Sequence, residues 1–121
     1  MNSSLPTLYL DLNRLRDYAL GPEDLQPLMA SLADDLQAEL RALEAALKTP
    51  PAGGEVLHRH LHALKGMSGM FAGSDLLARL TDADDACRRS DMPQGLPLVH
   101  ALLPDLNAWL DEVKAWLQRY S

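Results

Sequence analysis

Hydrophobic residues recur at steps of three and four along most of the chain, which is the spacing that places them on one face of an α-helix. The longest run consists of Leu25, Leu28, Leu32, Leu36, Leu40, Leu43 and Leu47. Glycine and proline interrupt the pattern at GP (21–22), TPPAGG (49–54), AGS (72–74) and DMPQG (91–95), which are typical turn sequences. The pattern therefore predicts five helical segments.

The first two predicted helices lie on either side of the GP sequence. The first is short and covers about residues 11–20, and the second extends from the low twenties to about residue 48. Pro22 suits a first helical position, whereas Pro27 would lack a backbone donor inside the helix. We therefore expect the continuous part of the second helix to begin near Gln26, after a separate turn.

The other three predicted helices are bounded by the remaining turn sequences. They cover about residues 54–71, residues 74–91, and the mid-nineties to residue 120. Pro104 is expected to kink the fifth helix or to restart it. Trp109 and Trp116 lie two turns apart beside its hydrophobic stripe, so we interpret both as residues at the edge of the core.

Four long amphipathic helices with short connections favour a helical bundle, because short connections make consecutive helices antiparallel. Strand signals are weak: the chain has three valines, no isoleucine, and neither an Asn-Gly nor an Asp-Gly turn. A chain of 121 residues is the size of one domain. The sequence therefore predicts an all-α fold, an antiparallel up-down-up-down four-helix bundle with a short extra N-terminal helix, as a single domain over residues 1–121.

The charge and composition argue against several classes of protein. A formal net charge of −6 argues against binding to nucleic acid, which requires a basic face. No apolar run approaches the ~20 residues of a membrane span, and the N-terminus lacks the basic start and apolar centre of a signal peptide. The only cysteine, Cys87, excludes an internal disulfide and is interpreted as a core residue. We therefore expect a cytoplasmic protein.

The third predicted helix carries the most unusual sequence, LHRHLHALKGMSGMFAG at residues 57–73. At about 100° per residue, its core face consists of Leu57, Leu61, Leu64, Ser68 and Phe71, all within about 40° of Leu57. A second stripe lies beside the core face, is turned toward solvent, and consists of His58, His62, Lys65, Gly66 and Gly69. The three alternating histidines therefore do not share one face, because His60 lies at the opposite border of the core.

The second stripe combines an imidazole, a cation and cleared space. A glycine inside a helix costs roughly 1 kcal/mol relative to alanine, so Gly66 and Gly69 suggest that a partner comes close to this surface. Lys65 can place a positive charge one turn from His62. An exposed histidine in these surroundings suits a nucleophile that receives a negatively charged group.

The residues HALKGMSG, from His62 to Gly69, resemble the signature of the histidine-containing phosphotransfer (Hpt) domain family, which is H-x-L-K-G followed by small residues. The resemblance extends along nearly the whole chain. The sequence LYLDLNRLRDY is similar to the family's short leading helix, and the segment after GPEDL is similar to its long second helix. Met67, the sequence MFAGSDL and the acidic middle of the fourth predicted helix depart from the family pattern, and they bear on the partner more than on the chemistry.

This resemblance implies a phosphocarrier in a multistep phosphorelay. The carrier would accept a phosphoryl group on His62 from the aspartate of a receiver domain and would pass it to another receiver domain. Lys65 would counter the phosphoryl charge, and Gly66 and Gly69 would let the receiver approach. The chain would not be an enzyme with an ATP site of its own, and no G-x-x-x-x-G-K-[ST] sequence is present.

The resemblance also implies the partners. They are response regulator receiver domains and a hybrid sensor histidine kinase, and the carrier is expected to be a monomer. Docking is expected on the exposed sides of the second and third predicted helices around His62, with His58 and Arg59 at the docking surface. No cofactor is expected in this chain, because the receiver would supply the Mg²⁺.

Two alternatives stay open from the residues. A helical interaction module could bind a signalling partner without passing phosphate. His58 and His62 are also an i, i+4 pair with Glu55 on the same side, which would suit a metal ion, although Lys65 would repel a cation. In the absence of a metal, His58 either borders the docking surface or is solvated.

The remaining polar candidates are interpreted as structural. His60 is interpreted as a boundary residue of the core, and His100 as a residue at the start of the fifth helix. The run of Asp82, Asp84 and Asp85 is interpreted as a solvated face, the common role of clustered charges.

Overall fold

The computed structural model describes residues 8–11, 22–49 and 53–120. They contain four helices: α1 (Pro22–Lys48), α2 (Gly54–Phe71), α3 (Ser74–Arg88) and α4 (Met92–Tyr120). These are the second to fifth predicted helices, and the described residues form no strand, so the all-α prediction is confirmed. The first predicted helix, about residues 11–20, lies outside the described residues except for Asp11, which is not helical.

Proline affects the helices less than we predicted. Helix α1 begins at Pro22 and includes Pro27, so the prediction of a separate turn before Gln26 is wrong. Helix α4 continues through Pro97 and Pro104, so it does not restart. All three interior prolines are exposed, where water can reach the backbone carbonyls that they leave without an N–H donor. The buried leucines on the other face of each helix offset the loss.

The end of α3 differs from its prediction. The helix ends at Arg88 rather than near residue 91. Ser90 adopts a left-handed backbone conformation with φ 59°. Its amide donates to the Cys87 carbonyl at 2.9 Å, and the Asp91 amide donates to the Ala86 carbonyl at 2.9 Å. These two bonds satisfy carbonyl groups at the end of the helix, so the chain can turn sharply into α4.

The helices form a closed bundle. Helix α2 packs mainly against α1 and α3, and α4 packs mainly against the same two helices. Consecutive helices are therefore neighbours, α2 lies diagonally across from α4, and the four-helix bundle is confirmed. Its largest fully buried side chains are Trp109, Met29, Leu36, Leu40, Leu43, Leu57, Leu61, Leu64, Leu76, Leu80 and Leu102.

Three residues of the core test the sequence interpretation. Cys87 is buried among the core residues, as predicted. Trp109 and Trp116 are 0% and 4% exposed, so both belong to the core and not to its edge. The difference arises because α4 packs against both α1 and α3, which buries a wider face than a single leucine stripe. The assignment of residues 1–121 to one domain stays a prediction.

The N-terminal segment joins opposite parts of the bundle. Leu10 pairs with Ala72 in the connection between α2 and α3. The amides of Leu8, Tyr9 and Leu10 donate to the Glu112 carboxylate of α4 at 2.7, 3.0 and 2.8 Å. Residues 8–10 therefore tie the C-terminal end of α2 to α4.

Candidate functional site

The core face of α2 lies where the helical wheel places it. Leu57, Leu61 and Leu64 are fully buried, and so is Ser68. The Ser68 hydroxyl donates to the Lys65 carbonyl of the same helix at 2.9 Å. This internal bond lets a polar side chain lie in the core without a lost hydrogen bond. The buried face fixes the rotation of α2, and with it the direction of the second stripe.

His62 is the most accessible histidine of this stripe. Its side chain is 72% exposed. It lies toward α3, because its Nδ1 atom is 3.9 Å from Oδ2 of Asp84. This distance is too long for a hydrogen bond but short enough for electrostatic attraction. The nearest charged group that another described helix presents to His62 therefore belongs to α3, and docking on α1 and α2 stays a prediction.

Asp84 is the residue that the sequence interpretation missed. It is 2% exposed, the only charged residue that the described part of the chain buries fully. The prediction of a solvated face is therefore wrong for Asp84, although Asp82 is exposed and Asp85 pairs with Arg88 at 3.3 Å. Its position four residues after Leu80 and three before Cys87 is a core position of α3, and this spacing is the signal that could have identified it.

The two carboxylate oxygens of Asp84 contact different side chains. Oδ1 bonds to Nδ1 of His58. Oδ2 accepts from Nζ of Lys65 at 3.4 Å and lies near Nδ1 of His62. A buried carboxylate needs such partners, because burial of a charge without compensation is strongly unfavourable.

His58 is held in place and is not solvated. Its side chain is 30% exposed, and its ring lies 5.7 Å from the His62 ring, measured between centroids. Of the two roles that we left open for His58, the solvated one is wrong. The structure places it at the border of the exposed surface, bonded to α3.

Lys65 contacts a partner that its sequence position does not reveal. Its ammonium group lies against Asp84, and its side chain is 25% exposed. Its expected role in countering the charge of a phosphoryl group on His62 stays a prediction. The Lys65 ammonium group and Nδ1 of His62 both approach Oδ2 of Asp84, at 3.4 and 3.9 Å. The structure thus brings His58, His62 and Lys65 together around one carboxylate.

The glycines and Arg59 form the open part of the surface. Gly66 and Gly69 are exposed, and a Cβ atom added to either one would meet no atom within 4 Å. Packing within the described chain therefore does not require glycine at these positions. Arg59 is also exposed and belongs to the same side of α2.

The other histidines lie outside this cluster. His60 bonds to Glu39 of α1, which confirms it as a boundary residue. His100 is the ninth residue of α4, where it lines a groove with Leu103 and Leu47, so its placement at a helix start is wrong.

Two further features are absent from the described residues. They contain no group of three or more His, Cys, Asp or Glu side chains arranged to hold a metal ion, so His58, His62 and Glu55 do not form one. Within the same ranges, none of the helices combines the length and the hydrophobicity needed to span a membrane.

Comparison with known proteins identifies the family. The model of the Hpt domain matches residues 27–116, which include all of α2 and α3 and most of the rest of the bundle. Searches of curated proteins and of solved structures found no significant match. Because the family match covers well over half of the chain, this protein belongs to the Hpt domain family.

Proposed function

We propose that this protein is a phosphocarrier in a multistep phosphorelay, which accepts a phosphoryl group on His62 from a receiver-domain aspartate and passes it to another receiver domain. The family assignment supports histidine phosphotransfer in general. The observation that carries the assignment to His62 is its exposed imidazole beside a lysine and a buried carboxylate. The other two histidines of α2 are half-buried and bonded through Nδ1 to carboxylates.

The chemistry follows from the side of the ring that faces Asp84. Nδ1 of His62 faces the carboxylate, so we assign the proton to Nδ1 and the nucleophilic lone pair to Nε2. The lone pair attacks phosphorus, and the bond between phosphorus and the receiver's aspartate oxygen breaks. The electron pair of that bond leaves with the aspartate carboxylate.

The ring becomes positively charged in this step, because it gains a bond at Nε2 and keeps its proton at Nδ1. The Asp84 carboxylate lies on the side where this charge develops and stabilises it. The ammonium group of Lys65, which lies against Asp84, can turn toward the phosphoryl group on Nε2 and counter its charge. Transfer to a second receiver is the reverse of these events.

We also propose which partners the protein has and where it acts. The receiver domain would approach the surface formed by Gly66, Gly69 and Arg59. A Cβ atom added at either glycine would meet no atom of the described residues within 4 Å. The receiver, and not this chain, would supply the Mg²⁺ for transfer. We infer that the protein acts as a cytoplasmic monomer that receives phosphoryl groups from a hybrid sensor histidine kinase through its receiver domain.

The test is phosphorylation of His62. A receiver domain charged with acetyl phosphate and Mg²⁺ is mixed with the protein, and phosphohistidine is measured by its lability in acid and by mass spectrometry. We expect the wild type to be phosphorylated and His62→Gln to lose all transfer. His60→Gln is the matched control, because it removes a histidine of the same helix, and it should retain transfer.

Two results would contradict the proposal. Equal phosphorylation of His62→Gln and the wild type would show that another residue is the acceptor. Receiver binding that survives His62→Gln, with no phosphohistidine in the wild type, would instead favour the non-phosphorylated interaction module.

A further inference from the structure

Phosphorylation of His62 would place a second anion near Lys65, which already contacts the buried carboxylate of Asp84. Before transfer, Lys65 is the cation closest to the buried carboxylate, with Nζ 3.4 Å from Oδ2. A phosphoryl group on His62 brings two further negative charges to the same side of α2. The ammonium group then faces two competing anions, one buried and one exposed.

Removal of Lys65 from Asp84 would leave a buried charge uncompensated if no other group held it. Loss of one partner from a buried ion pair is strongly destabilising, because the remaining charge has left water without a replacement. Asp84 does have a second partner, since His58 Nδ1 bonds to Oδ1, the oxygen that Lys65 does not contact. The contacts are thus divided between the two oxygens, and one can change while the other persists.

We propose that His58 is a positioning residue for phosphoryl transfer: by holding Oδ1 of Asp84, it lets Lys65 move from Oδ2 to the phosphoryl group on His62. This inference rests on the proposed function of His62 and adds a role for its neighbour one turn earlier. His58 does not touch the phosphoryl group in this proposal. It acts through Asp84, which remains hydrogen-bonded when the ammonium group leaves.

The same contact also orients Asp84 toward His62. A carboxylate held at Oδ1 presents Oδ2 to the Nδ1 side of the His62 ring, where positive charge develops during transfer. Without His58, the carboxylate can rotate, and its remaining attraction for Lys65 increases. Both effects slow the phosphorylation of His62 without removing the acceptor.

Three variants test the role of His58. His58→Leu removes the hydrogen bond to Asp84, and His58→Asn restores a donor near the position of Nδ1. His60→Leu is the matched control, because it removes a similar contact with Glu39 on the other side of α2. The measurement is the rate of phosphohistidine formation with phosphoramidate, a small donor that needs no receiver. The ring ¹⁵N chemical shifts of His62 report which nitrogen carries the proton.

We expect His58→Leu to slow phosphorylation of His62 about tenfold, the change that corresponds to one lost hydrogen bond to a buried charge. Its His62 ¹⁵N shifts should also change. His58→Asn should recover the rate to within about threefold and restore the shifts, since its amide can donate to the same oxygen. His60→Leu should keep the wild-type rate.

A comparison of two proteins that both carry Asp84→Asn covers the case in which His58→Leu alone does not fold. Asp84→Asn replaces the charge with a neutral amide, so His58 no longer has a buried carboxylate to hold. The variant with both substitutions should be phosphorylated at the rate of Asp84→Asn alone.

The outcomes separate this inference from the function of His62. A further loss of rate when His58→Leu is added to Asp84→Asn, a wild-type rate in folded His58→Leu, or failure of His58→Asn to recover the rate would overturn the role of His58 and leave His62 as the acceptor. Phosphorylation that persists in His62→Gln would instead overturn the proposed function itself.

Discussion

Gly54 and Gly66 belong to the same helix but have opposite surroundings. A Cβ atom added at Gly54 would lie 2.4 Å from the backbone carbonyl oxygen of Cys87 and 3.3 Å from Cα of Ser90. A Cβ atom added at Gly66 would meet no atom of the described residues within 4 Å. The first glycine lets the start of α2 approach the end of α3, and the second leaves open space beside His62.

The difference separates two reasons for a glycine in a helix. At Gly54 the bundle itself requires the missing side chain, because two backbones approach each other there. At Gly66 the bundle would be more stable with alanine, which has the higher helix propensity. The packing of the described residues does not account for this cost in stability, and the proposed docking of a receiver would account for it.

The largest effect is expected from Gly54→Ala. The added methyl group collides with backbone atoms that cannot rotate away, so we expect the free energy of unfolding to fall by about 3 kcal/mol. Urea denaturation followed by circular dichroism measures this change. Gly53→Ala is the matched control, since its Cβ atom would meet nothing within 4 Å, and it should cost less than about 1 kcal/mol.

Equal stability of the two alanine variants would break the comparison at this end of the bundle. It would mean that the start of α2 is not close enough to α3 for a Cβ atom at Gly54 to lie 2.4 Å from the Cys87 carbonyl oxygen.

A smaller change of opposite sign is expected from Gly66→Ala. The free energy of unfolding should rise by about 0.5–1 kcal/mol, because alanine restricts the unfolded chain and favours the helix. Phosphoryl transfer from a receiver domain should slow, while phosphorylation by phosphoramidate should not change. Both rates are measured as phosphohistidine formation under the same conditions.

Ala115→Gly provides the reverse control for this pair of measurements. Ala115 is exposed on α4, which lies diagonally across the bundle from α2. The substitution should lower stability by about as much as Gly66→Ala raises it and should leave transfer unchanged. A Gly66→Ala protein that is stabilised and exchanges phosphate with a receiver at the wild-type rate would contradict the docking role of the open face.

The smallest effect is expected on the reactivity of Cys87, near the end of α3 that Gly54 approaches. Burial raises the pKa of the Cys87 thiol, and the charge of Asp84 raises it further. The folded protein should therefore react with iodoacetamide much more slowly than an unfolded chain at pH 8. Gly54→Ala should react faster than the wild type, because it opens the packing around Cys87.

The raised pKa of the Cys87 thiol also predicts how the stability of the protein changes with pH. A thiol pKa raised by folding means that the protonated thiol favours the folded state. This contribution is complete below the unfolded-chain value of about 8.5 and is lost as the pH rises through the higher folded-state pKa. Alkylation of the wild type at the rate of the unfolded chain would show that Cys87 is not enclosed.

The core of α2 shows how much could be predicted from periodicity. Leu57, Leu61, Leu64 and Ser68 are buried as the helical wheel requires, and the exposed stripe follows on the adjacent side. Residues within one helix have fixed angular positions, so sequence spacing is sufficient to assign them to faces. The exposure of His62 belongs to this predictable part.

The burial and the contacts of Asp84 were not predicted from the sequence. Its exposed neighbour Asp82 and its half-buried neighbour Asp85 made the three aspartates resemble a charged surface. Its contacts with His58 and Lys65 span 26 and 19 residues along the chain. Periodicity could have indicated that Asp84 is buried, but it could not indicate which side chains of another helix compensate its charge.

The amino-acid sequence by itself determined the helices, the buried face of each and the family signature that begins at His62. Those features depend on local propensity and on the 3.6-residue period, which act within one segment. Only the tertiary structure decided that His58, His62 and Lys65 meet one buried carboxylate, and that Gly54 is enclosed while Gly66 is open. These features depend on the relative rotation and spacing of α2 and α3, which the packing of the whole bundle sets.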